Sequence, residues 1–331
     1  MYTKRNYGFW MTLNWSKMPF IYGTLLATGI HLFCHFTGLD VSIPWQPVSV
    51  IGIAVAFYLG FKNNSSYDRT WEARKIWGAI VNNSRTFGAA VVTFIQSDQE
   101  EKNEAIKKEL IYRHIAWLTT LRYQLRLSRQ WEHTENRVKG LYVPDVSELY
   151  FDRLDSEVTH FIPEEEFQRY KSKTNMAAQI LLTQSVRLQQ LRDENYFEDF
   201  RHIEFHTLIR AFYEEQGKSE RIKNFPFPRQ YASVALWLSV VFCALVPFSL
   251  LETFIEAKGL LYWIWPLFSG LITWIFFLME KIGDYSENPF EGTYNDVPIT
   301  AISRAIEIDL REMIDDADIP SPIKDENGFL M

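Results

Sequence analysis

Four windows of the chain carry no Asp, Glu, Lys or Arg: Pro19–Thr37, Ile43–Phe61, Gln230–Leu251 and Gly259–Met279. Each is about the 20 residues that a membrane-crossing helix needs. Gly38-Leu39-Asp40 joins the first two, and a short loop with Glu252, Glu256 and Lys258 joins the last two. The pattern therefore predicts two transmembrane hairpins. After Phe61 the apolar spacing continues through Tyr67, Trp71, Ile76, Trp77, Ile80, Val81 and Phe87, now interleaved with Lys62, Arg69, Arg74, Lys75 and Arg85. A helix leaving the membrane without a break reads this way.

The second window holds two stripes at i, i+4, i+8. Gly52, Ala56 and Gly60 form a small-residue stripe suited to close helix packing. Ile53, Phe57 and Phe61 form a bulky stripe about 100° away. Spacing alone leaves that second stripe facing lipid, a neighbouring helix or a pore.

The region between the hairpins is strongly charged and helical in period. Helices are expected over Asp98–Asn136, from Glu164 after Pro163, over Ser172–Asp193, and over Glu198–Lys223, with a turn and cap at Pro144-Asp145. Phe225-Pro-Phe-Pro228 stops the last of these before the third window. Ile299–Ile314 is one more helix, and Asp315–Met331 an acidic extended arm. The chain thus divides into an N-terminal interfacial segment, hairpin and helix leaving the membrane (1–95), a helical region (96–229), the second hairpin (230–280) and a C-terminal helix with tail (281–331). No strand alternation or internal repeat is present. The fold class is all-α and membrane-integral.

Composition narrows the function. A net charge of −7 argues against nucleic acid, which needs a basic surface. The two cysteines, Cys34 and Cys243, lie in apolar windows and read as buried thiols rather than a disulfide framework. The first window lacks a cleavage site and is expected to be retained. Lys4, Arg5 and Lys17 precede it, and the Lys62–Arg85 cluster follows the second, whereas the inter-helix loops hold only Lys258. The positive-inside rule then puts both termini and the central region in the cytoplasm. On that side, the acceptor triplets at Asn63, Asn64 and Asn82 are chance matches.

Three sets of side chains invite a metal reading. His31 and His35 share a face at i, i+4 but have no third ligand nearby. His202 and His206 share a face from which Glu204 points away. Glu280, Asp284, Glu287, Glu291 and Asp296 offer oxygens for a hard cation, with Glu287 and Asp296 the candidates retained. Glu164-Glu-Glu suits a helix N-terminus. No nucleophile elbow, phosphate loop, dinucleotide fingerprint or zinc-protease motif occurs, so an enzyme is not expected.

Tyr58-Leu-Gly-Phe-Lys-Asn-Asn-Ser-Ser-Tyr-Asp-Arg-Thr-Trp-Glu-Ala-Arg-Lys-Ile-Trp-Gly78 resembles the segment after the second helix of bacterial bestrophin homologues. Pro226-Phe-Pro-Arg-Gln-Tyr231, Glu287-Asn-Pro-Phe290 and Asn295-Asp-Val-Pro298 resemble the family's motifs around its later membrane helices. With the two-plus-two layout, the resemblance covers about residues 5–315. It implies a homopentameric ion channel of five copies around one axial pore, in a bacterial inner membrane. It implies a neck of Ile53, Phe57 and Phe61 and a cytoplasmic aperture at Phe200, with Gly52, Ala56 and Gly60 as the packing face. The expected permeant ion is chloride. A sodium or potassium channel of the same fold is the alternative, and a non-conducting membrane scaffold is a rival from another class. Animal members resemble calcium-gated channels. Here most of the carboxylates after Asn-Pro-Phe are missing, so no resident cofactor is expected and calcium stays open.

Overall fold

The computed structural model describes residues 1–133, 153–254, 259–293 and 295–331. The expected turn at Pro144-Asp145 lies outside them. Among the described residues the structure is helices and connections, with only isolated β-bridges. The helices are α1 (Phe9–Thr37), α2 (Trp45–Phe94), α3 (Glu100–Arg126), α4 (Leu154–Thr159), α5 (Glu164–Lys171), α6 (Met176–Asp193), α7 (Asp199–Asn224), α8 (Arg229–Phe254), α9 (Leu260–Asp284) and α10 (Ile299–Glu312). α1, α2, α8 and α9 are long and apolar enough to cross a membrane.

The four membrane helices pack as two antiparallel pairs. On α1 and α9 the backbones meet at glycines. A Cβ on Gly23 would lie 2.7 Å from Thr273, and one on Gly270 2.0 Å from Thr24 Oγ1 and 2.8 Å from the Phe20 carbonyl. Along the same pair, Trp274 Nε1 donates to Ser16 Oγ at 2.8 Å and Trp265 Nε1 to His31 Nδ1 at 3.0 Å. α2 meets α8 where Gly52 faces the Phe242 ring, 2.6 Å from where a Cβ would sit. Close approach at small residues is what holds helices together where lipid is as apolar as the side chains.

α2 is one helix of 50 residues. Its second half enters the charged region and becomes core there. Trp77, Ile80 and Phe87 are fully buried with Trp117, Phe205, Phe212 and Leu310. α2 therefore belongs to both the membrane part and the helical mass.

Three expectations need correction. The helix expected over Asp98–Asn136 runs only from Glu100 to Arg126, and within it Ile111 and the residues from Arg113 to Tyr123 are all buried. Its polar groups are satisfied inside. Arg113 forks onto Glu166 at 2.9 and 3.0 Å, and His114 Nε2 shares a 2.9 Å hydrogen bond with Ser84. Desolvation drops the His114 pKa to about 3, so it is neutral. α6 starts at Met176, not Ser172, because the Asn175 side chain accepts from Ala178 N and caps it. The C-terminal arm is not free along its length. Its exposed stretch ends in a docked segment, where Thr3 N donates to the Gly328 carbonyl at 2.8 Å and Phe329 packs on the stacked Tyr2 and Tyr7 rings. The N-terminal residues are thus held by the tail, while Phe9 and Trp10 stay exposed.

Gly270→Ala is expected to separate α1 from α9 and lower stability by about 1–3 kcal/mol, the cost of overpacking against a fixed backbone atom. Gly60→Ala meets nothing within 4 Å in the protomer and serves as the control. Thermal unfolding in detergent measures both, and an unshifted Gly270→Ala midpoint would remove the close crossing.

Candidate functional site

α2 carries two unlike faces. The buried one is Gly52, Val55, Leu59, Lys62 and Ser66, directed at α8 and α9. It differs from the small-residue stripe of Gly52, Ala56 and Gly60. Gly52 packs on Phe242, Ala56 is half-buried, and Gly60 borders open space in the protomer. The reason is geometric. Steps of four residues drift about 40° each around a 3.6-residue helix, whereas a seam between straight helices alternates steps of three and four.

The opposite face is exposed. Ile53 is 71% exposed, Phe57 69% and Phe61 58%. The Phe57 and Phe61 rings meet edge to face, with centroids 4.6 Å apart and planes at 82°. No described residue covers them. Phe200 is 80% exposed in the first turn of α7. The next residue, Arg201, lies over the Phe94 ring and donates to the Phe94 carbonyl at 3.5 Å, which sets Phe200 beside the far end of α2. Phe61 and Phe94 are about 50 Å apart along the helix. The structure therefore groups Ile53, Phe57 and Phe61 on α2 and leaves Phe200, on α7, beside the C-terminal end of α2.

A network of buried ion pairs fixes the point where α2 leaves the membrane, and sequence reasoning missed it. Lys62 Nζ lies 2.8 Å from Glu280 and 3.8 Å from Asp284, both on α9. His133 continues the line, with Nε2 2.8 Å from Asp284 and its backbone N 2.6 Å from Glu291. Arg69 Nε donates to the Glu287 carbonyl at 2.8 Å, and Arg229 pairs with the Glu287 carboxylate at 2.6 Å. Asp296 pairs with buried Arg126 and accepts from the Phe290, Gly292 and Val297 amides at 2.8, 2.7 and 2.6 Å. These amides hold Phe290 in a left-handed backbone (φ 68°), fully buried near Trp77 of α2.

In this structure Glu287 and Asp296, the two carboxylates retained as cation candidates, lie against cationic side chains of the protein itself. Asp296 is paired with Arg126 and three backbone amides, whereas Glu287 is paired with Arg229 through Oε1 and its Oε2 is buried without a hydrogen-bond partner. Among the described residues no three His, Cys, Asp or Glu side chains converge as a metal-binding set. His31 and His35 do not converge on a third ligand either. His31 accepts from Trp265, and His35 shares a 3.2 Å hydrogen bond with Tyr262. Glu204 and His206 are exposed while His202 stacks by Phe197. Cys243 is buried as expected, but Cys34 is only partly so.

The comparisons with known proteins decide the family. The model for bacterial/fungal bestrophin proteins matches residues 16–312. The chain belongs to the bestrophin family. Members similar to it include an Escherichia coli K12 protein named voltage-dependent anion channel-forming protein YneE, 29% identical, covering 91% of this chain and 86% of that one. A voltage-dependent anion channel-forming protein of Ralstonia nicotianae is 28% identical, covering 88% and 83%. The crystal structure of a bacterial bestrophin homologue from Klebsiella pneumoniae superposes with a TM-score of 0.75 at 22% identity, over 91% of this chain and 98% of that one. Bestrophin membership accounts for the fold and the membrane setting of the two exposed and buried faces of α2.

Two predictions follow from the network. Lys62→Met strands a buried Glu280 and is expected to cost about 3–5 kcal/mol, which Lys62→Met with Glu280→Met recovers in large part. A harmless single variant in thermal unfolding would show the pair to be idle. Burial alone would lower the His133 pKa, but hydrogen bonds to Asp284 and Glu291 outweigh it and raise it to about 10. The folded value exceeds the unfolded one of about 6.5. Its contribution is therefore complete below about pH 6.5 and fades as pH rises through about 10. Melting midpoints between pH 7 and 10.5 should fall more in the native protein than in His133→Gln; parallel curves would contradict the assignment.

Proposed function

We propose that the protein is a membrane channel for small inorganic anions, chloride first, assembled as a homopentamer around an axial pore. The observation that carries it is the exposed face of α2. Ile53, Phe57 and Phe61 lie open along one side of a helix whose other side is fully packed. Farther along, beyond the uncharged window, Tyr67 and Trp71 stack with planes at 7° and stay 62% and 51% exposed. Aromatic rings bared past the membrane have no lipid to cover them, and a second copy of the chain would. Five copies would turn the Ile53/Phe57/Phe61 stripe into rings forming a narrow apolar neck, with Phe200 as a second constriction at the cytoplasmic end.

An apolar neck offers an ion no charge. It conducts when wide enough to stay wet and closes by dewetting. Phe ring edges are weakly positive and tolerate anions, whereas ring faces favour cations. The names of the Escherichia coli and Ralstonia relatives support the anion reading. The basic residues flanking the first two spans support an inner-membrane orientation with both termini in the cytoplasm.

Purified protein in liposomes under a NaCl gradient is expected to give a reversal potential near that of chloride. A value near that of sodium means a cation channel, and a silent membrane a scaffold. Phe57→Ala should widen the neck and raise unitary conductance severalfold. An unaltered conductance would remove Phe57 from the pathway.

A further inference from the structure

The exposed line of α2 does not stop at the neck. Taking Phe57 as the reference, Ile53, Phe61, Asn64, Asp68 and Lys75 all lie within about 40° of one line along the helix. Every one of them is exposed. After Phe61 the line is mostly polar, with Trp71 at its edge on the Ile53 side, and it continues down the same side as Asn82, Thr86 and Thr93, also exposed. Helix rise spaces Phe61, Asp68 and Lys75 about 10 Å apart.

The two charges on this line differ from those beside it. Arg69 is bonded to the Glu287 and Phe225 carbonyls, Glu72 to Arg221 at 2.8 Å and Arg85 to Asp309 at 2.7 Å. Asp68 and Lys75 have no ion-pair partner among the described residues. Arg74 is exposed too, but it points about 100° away from the line. A lone exposed charge on a helix is ordinarily just solvated. Here the side chains share the face that holds the neck residues, at the first polar turns beyond them.

We infer that Asp68 and Lys75 are charge-selecting residues of the pore, forming an acidic and then a basic ring in a water-filled vestibule beyond the neck. This rests on the channel reading above. Five like charges around an axis raise the local concentration of the opposite ion and exclude the like one. The Asp68 ring, nearer the neck, then works against anion flow, and the Lys75 ring supplies anions to it. Selectivity in this chain becomes a balance between two opposed rings, and the neck itself stays neutral.

The test is the reversal potential of the full-length channel in liposomes under a KCl gradient, at about 10 mM and about 1 M mean ionic strength, where charges are screened over roughly 30 and 3 Å. Asp68→Asn is expected to raise the chloride-to-potassium permeability ratio by roughly 3- to 10-fold at low salt, and Lys75→Gln to lower it similarly, with both effects collapsing at high salt. If the native channel conducts and neither variant moves the ratio at low salt, the rings are overturned. If the native protein passes no current, the channel reading itself falls, which is a different outcome. Should Asp68→Asn fail to assemble, Asp68→Cys with Cys34 and Cys243 changed to Ser is labelled after reconstitution. A sulfonate-bearing thiol reagent should restore the native ratio and a trimethylammonium-bearing one move it further towards chloride. Identical ratios after both reagents overturn the assignment.

Discussion

A lysine buried where a helix leaves the membrane is the constraint around which this protein is arranged. Lys62 sits immediately after the uncharged window of α2, and its ammonium is enclosed between α2 and α9. Burying that charge costs more than its hydrophobic stem returns unless a carboxylate lies against it. Glu280 meets the need, and Asp284, His133 and Glu291 extend the same line of alternating charge to the loop after α3. Each member loses its compensation if a neighbour moves. The network therefore ties α2, α9 and the helical mass into one geometry.

The continuity of α2 follows from the same fact. A helix passing from lipid into a charged region usually has a break where its environment changes. Here the backbone stays helical from Trp45 to Phe94. What changes is the partner of the buried face: glycine against Phe242 in the membrane, an ion pair at the exit, then Trp77, Ile80 and Phe87 in an aromatic core. The exposed face changes in parallel, from Ile53 and Phe57 to Asn64 and Asp68.

Much of this was legible from residue pattern. The uncharged windows marked the membrane helices because an unbroken apolar run has few other uses at that length. The bulky stripe was legible as a stripe, and only the motif around Tyr58–Gly78 chose its direction. Two features escaped for physical reasons. A fixed spacing of four drifts around the helix, so along Gly52, Ala56 and Gly60 only Gly52 meets α8, and Gly60 meets no described residue of the protomer. The carboxylates from Glu280 to Asp296 were read as available oxygens because their partners are remote in sequence: Lys62, Arg126, His133 and Arg229. Local pattern cannot pair a carboxylate with a guanidinium 170 residues away.

Adjacency links the network to the proposed neck. Phe61 and Lys62 are consecutive and therefore about 100° apart on one helix, the first facing open space and the second facing Glu280. Any rotation of α2 that carried Phe61 away from its exposed direction would draw the buried Lys62 ammonium off its carboxylate. The ion pair thus resists the motion that would reorient the Phe61 ring. Edge-to-face contact with Phe57 passes the same restraint one turn farther into the membrane. A ring of side chains that works by its width and by which part of each aromatic faces inward needs that kind of positional stiffness, because a turn of a ring exchanges a weakly positive edge for a negative face. The buried charges do this without touching an ion. Their place is beside the Ile53/Phe57/Phe61 stripe, holding the helix that carries it.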